Sequence, residues 1–172
     1  MSREEPERNP DARAGQPTAQ DDAAAALPVD FVAFYTLHHR TYLDYACLQL
    51  GSWSAARDTV EHVFTQLSTR WPEVLRQPHV EAYVFAAFKE ELARRLPPDG
   101  KGAIAATAAM AQLPERCYDV VLLHCVLGYP QQHVADFLGV SCATVRSHVR
   151  GAHRRLARET GIDRTTETDE ES

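Results

Sequence analysis

Apolar residues return every three or four positions through three successive stretches of the first hundred residues, without the alternation of a half-buried strand. Phe31, Phe34, Tyr35, His38, Tyr42 and Tyr45 mark the first stretch. After the Gly51-Ser52 break, Ala56, Val60, Val63, Phe64 and Leu67 mark the second, and Val80, Tyr83, Val84, Ala87, Phe88 and Leu92 mark the third. Each stripe predicts an amphipathic helix with these side chains in a core. Pro97-Pro98-Asp99-Gly100-Lys101-Gly102 ends the pattern and opens a run of small residues reaching about Gln112. Such a run reads as a flexible linker between blocks that move independently.

The periodicity resumes at Leu113. Pro114 and Glu115 suit the first turn of a helix, and Tyr118, Val121, Leu122 and Cys125 form its expected buried stripe. Gly128 should end it. Gln131 to Leu138 predict a short second helix with Val134, Ala135 and Leu138 inward, and Gly139 fits the left-handed turn that follows. Ser141 is a good N-cap for a third helix, whose apolar face is Val145, Val149, Ala152 and Leu156. Helix, glycine turn, capped helix is a helix-turn-helix. Its other face carries Thr144, Arg146, Ser147, Arg150 and Arg154, and from Cys142 to Arg158 there are five arginines and no acidic residue. A helix apolar on one side and cationic on the other is suited to lie on a polyanion, with side chains in a DNA major groove.

The chain as a whole is acidic, with net charge −6. That acidity is concentrated at its ends: residues 1–30 and 163–172 each sum to −4, while 113–162 sum to +2. The overall charge therefore does not speak against DNA. The fold class predicted is all-α: two small helical domains joined by a flexible linker, the second a helix-turn-helix, with disordered acidic tails. The boundaries are a tail at 1–27, a helical domain at 28–96, the linker at 97–112, the helix-turn-helix domain at 113–162 and an acidic tail at 163–172. No apolar run is long enough for a membrane span and no secretory signal is present, so a cytoplasmic protein with reduced cysteines is expected. Cys117, His124, Cys125, His133, Cys142 and His148 crowd one region, but their spacing matches no structural zinc site. With no phosphate loop, nucleophile elbow or paired metal ligands, neither enzyme activity nor a metal or other cofactor is expected.

The segments LPERCYDVVLLH, GYPQQHVADFLGVS and ATVRSHVRGAHRRL resemble region 4 of the extracytoplasmic-function group of sigma factors, in the sigma-70 family. Departures from the pattern are His133, where a Glu is usual, and His148 and Gly151, where basic residues are common. The first block is similar to region 2. GSWSAARDTVEHVF resembles the segment that grips the clamp helices of the largest RNA polymerase subunit, and EAYVFAAFKEELARR resembles the helix that meets the promoter −10 element. The resemblance implies a transcription initiation factor that binds core RNA polymerase and promoter DNA, with region 4 reading the −35 element, and it leaves room for an anti-sigma partner. DNA contacts then fall to Thr144, Arg146, Ser147, Arg150, Arg154 and Arg155 in the second block, and to Tyr83 and Lys89 in the first. Asp58, Glu61 and His62 would face the polymerase. Glu90 and Glu91 stand where uncharged or basic residues are commoner, and carboxylates facing phosphates weaken binding. They are expected to turn toward Arg94 and Arg95 instead. Two other readings stay open: a stand-alone helix-turn-helix regulator of the response-regulator type, and a polymerase-binding adaptor whose region 2 does not melt DNA.

Overall fold

The structure is a computed structural model that describes residues 27–96, 110 and 112–160. The expected tails fall almost wholly outside these residues, as does most of the linker. Helix α1, Val29–Leu50, starts after Pro28 with Asp30 in its first turn, where a carboxylate complements the helix dipole. It ends at Gly51, whose φ of 66° lets its N–H reach back to Cys47 O at 2.9 Å. Ser52 then caps α2, Trp53–Thr69, its Oγ accepting from Ala55 N. A single turn, α3 (Trp71–Val74), leads into α4, Val80–Arg95. Their stripes meet in an aromatic core. The Tyr42 ring lies 4.9 Å from Phe88 and 5.2 Å from Phe64, both edge-on, and Trp71 packs edge-on against Phe31.

The second block begins with α5, which runs as an α-helix over Glu115–Val120 and continues as a π-helical turn over Val121–Val126. Bonds from Leu127 N to Leu122 O (2.9 Å) and from Tyr129 N to Leu123 O (3.0 Å) close this wider end. The extra residue per turn rotates the register. The buried stripe is therefore Cys117, Val120, Val121, Leu122 and Leu123; Tyr118 is half-buried, and Cys125, expected inside, is exposed. Gly128 (φ 77°) ends the helix, as expected. Helix α6, Gln131–Leu138, and α7, Cys142–Thr160, form the helix-turn-helix, with Gly139 left-handed between them and Ser141 Oγ accepting from Thr144 N at 3.1 Å. Among the described residues every regular element is helical, and no helix is long and apolar enough to cross a membrane.

The two blocks share one hydrophobic core. Phe137, on the flank of α6, places its ring 4.7 Å from Tyr42 and 5.3 Å from Phe85. Gly139 lies so close to the first turn of α4 that an added Cβ would come 3.2 Å from Ala82 N. Polar bonds cross the same seam. Tyr45 Oη donates to Asp119 at 2.7 Å, Gln49 Nε2 to Tyr118 Oη at 3.0 Å, and Tyr129 Oη to Asp44 at 2.8 Å. Thr41 Oγ1 and His133 Nε2 share a hydrogen bond of 2.8 Å. Independent movement of the blocks, expected from the linker, is not what this packed arrangement presents. The reason is Phe137: an apolar side chain on the outer flank of the helix-turn-helix needs a partner, and the first block supplies one.

Candidate nucleic-acid interface

Helix α7 divides by chemistry. Val145 and Ala152 are buried and Val149 and Leu156 half-buried, fixing the helix on α5 and α6. Arg146, Ser147, Arg150, Arg154 and Arg155 consequently point to solvent, with Thr144 half-buried beside the cap and its Oγ1 2.8 Å from Ser141 Oγ. Arg146, Arg150 and Arg154 stand four residues apart, so they follow one side of the helix, with Arg155 next to Arg154. A concavity of about 420 Å³ opens between the start of α5 and α7, lined by Cys117, Ser147, His148, Arg154, Arg155 and Arg158 among others. Guanidinium groups arrayed over such a surface match phosphates and guanine edges alike.

The residues expected to contact DNA from the first block are placed differently. Tyr83 is half-buried against the shared core. Lys89 Nζ donates to Asp119 Oδ2 at 3.0 Å and Oδ1 at 3.2 Å, and to Glu115 Oε1, so α5 covers it. That clasp draws the Glu115 carboxyl below its ordinary value. Burial pushes Asp119 up, although Lys89 and the Tyr45 hydroxyl both favour its charged form. The expectation for Glu90 and Glu91 holds in half. Glu91, 12 % exposed, receives both Arg94 Nη1 and Arg95 Nε at 2.7 Å. Burial alone would raise its carboxyl, but the two arginines outweigh burial and lower it. Glu90 is 75 % exposed, with Arg94 no nearer than 3.9 Å. Asp58, Glu61 and His62 lie together on the solvent face of α2, with Arg57 3.6 Å from Asp58 and 3.7 Å from Glu61. Among the described residues no three His, Cys, Asp or Glu side chains are grouped to hold a metal ion.

Residues 104–156 match the family described as sigma-70, region 4, a span that holds α5, α6 and α7 as far as Leu156. The likeness to the sigma-70 family is carried by this segment. Solved structures similar to the chain include CnrH in complex with the cytosolic domain of CnrY, at 17 % identity and TM-score 0.46, covering 83 % of this chain and 95 % of that one. RpoE from Bartonella quintana in complex with the anti-sigma factor NepR is similar at 16 % identity and TM-score 0.44, covering 80 % and 100 %. The complex of RsbN and BldN gives 20 % identity and TM-score 0.35, covering 82 % and 96 %. No curated protein matches the chain.

Sequence reasoning left several residues of the seam without a role, Phe137, Asp119 and Phe85 among them. Phe137 signalled itself as an aromatic beside, not within, the inward stripe of α6. Asp119 signalled itself as an acid inside the apolar run YDVVLLH, where only a partnered carboxylate is tolerated. Phe85 lies between two members of the α4 stripe and widens the face that α6 covers.

Proposed function

We propose that this chain is a transcription initiation factor of the extracytoplasmic-function sigma group, which binds core RNA polymerase and directs it to promoters from the cytoplasm. The observation that carries this reading is the exposed arginine face of α7 on a helix-turn-helix that matches sigma-70 region 4. Arg146 and Arg150, nearest the capped end, reach base edges of the −35 element; Arg154 and Arg155 neutralise phosphates; Thr144 and Ser147 add hydroxyl contacts. The first block supports the reading through its likeness to region 2, with Asp58, Glu61 and His62 offering the polymerase clamp helices a solvated polar face. An anti-sigma factor is a further partner within the same reading.

Run-off transcription with core polymerase tests it. The wild-type chain should co-purify with the core enzyme and give a promoter-dependent transcript. Arg146→Ala with Arg150→Ala should reduce promoter use, each lost bidentate base contact costing about 1–3 kcal/mol of discrimination. Arg154→Ala should weaken all sequences alike and lower the salt slope by about one. Co-purification without a transcript would favour the adaptor reading, and failure to co-purify would favour the stand-alone regulator.

A further inference from the structure

Lys89 is the residue of α4 whose cation faces the second block, since Arg94 and Arg95 are both turned onto Glu91. An ammonium has three donors and no more. Here all three directions meet acceptors: both oxygens of Asp119 and Oε1 of Glu115, with the Phe85 ring centroid 5.7 Å away. Two carboxylates converging on one ammonium occupy the donors that a phosphate diester would otherwise use. The clasp is also open at its edge. A cleft of about 490 Å³ borders it, lined by Ala82, Phe85, Ala86, Glu90 and Arg116 among others, so solvent ions and a nucleic-acid strand can approach.

We propose that Lys89 is a shared cation: in the packed form it neutralises Asp119 and Glu115, and in the open form it neutralises a DNA phosphate, so that packing of the two blocks and single-strand binding by α4 exclude one another. The inference deepens the sigma-factor reading and rests on it for the nature of the strand. A buried ion pair is poor glue, because desolvation consumes most of the Coulomb gain. Handing the lysine to a phosphate while Asp119 returns to water is therefore an exchange of near-equal electrostatic terms, so that the strand competes chiefly with the apolar seam around Phe137. Reciprocity follows from linkage: whatever closure subtracts from strand affinity, a bound strand subtracts from closure. Region 4 would in this way hold the −10 surface of its own chain until DNA displaces it.

The test uses the full chain and a mixed-sequence single-stranded 20-mer, with affinity followed by fluorescence anisotropy across salt concentrations. Glu115→Gln with Asp119→Asn keeps the shape and the Tyr45 hydrogen bond but frees Lys89. One added phosphate contact steepens the slope by about 0.7 and tightens binding about five-fold at 0.1 M salt. Lys89→Met should erase that gain in the freed background. Removing two negative charges could by itself favour DNA, but that gain would survive Lys89→Met, and its survival would overturn the proposal. So would an absent gain. If circular dichroism shows that Asp119→Asn unfolds the chain, Glu115→Gln alone, at an exposed position, should give a smaller gain with the same dependence on Lys89. The assay needs neither polymerase nor promoter, so its failure is distinct from a failure of the transcription reading.

Discussion

Helices α4 and α7 carry the two surfaces that the sequence assigns to DNA, and the fold treats them in opposite ways. Helix α7 buries one narrow apolar face within its own block and leaves its arginines in water. Helix α4 is covered on both sides of its stripe, by α2 within the first block and by α6 across the seam. The difference lies in the width of the apolar face. In α7, Val145, Val149, Ala152 and Leu156 make a single row. In α4, Phe85 extends the row made by Val84, Phe88 and Leu92, giving a surface that one neighbour cannot cover. A narrow stripe leaves a helix free to serve an external partner, whereas a wide one recruits an internal partner first.

Phe137 is the side chain that makes this contrast, so removing it should have the largest effect. Phe137→Ala deletes a ring packed on Tyr42, Phe85 and His38 and is expected to destabilise the chain by about 3–5 kcal/mol. The readout can separate the blocks, because both tryptophans, Trp53 and Trp71, lie in the first. In the wild type, tryptophan fluorescence and far-UV circular dichroism should report one coincident denaturant transition. In Phe137→Ala the two probes should part, the helices of the second block melting at lower denaturant. Coincident transitions in the variant would mean that the blocks are coupled by something other than this ring.

How much of this was legible in the sequence follows from how local each determinant is. Gly51, Gly128, Gly139 and Ser141 act on their own turns, and the helix ends stand where the residues place them. The α7 face follows from periodicity within one helix. Cys125 was misplaced because a π-turn breaks the 3.6-residue period, and nothing in VLLHCV announces an i→i+5 bond. The covering of Lys89 was out of reach for a different reason. Its partners Glu115 and Asp119 lie 26 and 30 residues away, beyond the reach of any helical periodicity. Asp119, an acid inside an apolar run, signals that a partner is required but not which one.

A pH dependence sharpens the comparison further, because the seam holds a buried histidine. His38 is enclosed by the rings of Phe34 and Phe137, and its Nδ1 finds no hydrogen-bond partner among the described residues. Burial lowers its pKa from the ordinary value of about 6.5. His133 on α6 adds to the lowering, while Glu81 on α4 and Asp136 on α6 oppose it without reversing it. The packed form therefore binds fewer protons at this site than the unfolded chain. Its contribution is fully present above about pH 6.5 and is lost as pH falls from there toward the lowered pKa. The melting temperature of the wild type should drop more between pH 7.5 and pH 5.5 than that of His38→Gln. Equal drops in the two proteins would show that His38 does not sense the closure.

The smallest expected effect distinguishes two adjacent carboxylates on α4 that the sequence treats alike. Glu91 is tucked between Arg94 and Arg95, each at 2.7 Å, whereas Glu90 faces solvent with its one arginine at 3.9 Å. Helical ion pairs of this kind are worth about 0.2–0.5 kcal/mol each. Glu91→Gln gives up two, so it should lower stability by up to about 1 kcal/mol, while Glu90→Gln should leave the melting temperature unchanged. Strand binding should invert the order. Glu90 lines the open edge of the cleft beside Lys89, where an unpaired carboxylate repels a phosphate backbone. Removing its charge should tighten single-strand binding slightly in the Glu115→Gln, Asp119→Asn background. Glu91→Gln frees two guanidinium groups on the far side of the helix and should not tighten binding at the clasp, a difference that Lys89→Met would expose by erasing the Glu90 gain alone. If both substitutions tightened binding equally and regardless of Lys89, the strand would be responding to net charge alone, and α4 would have no defined DNA face.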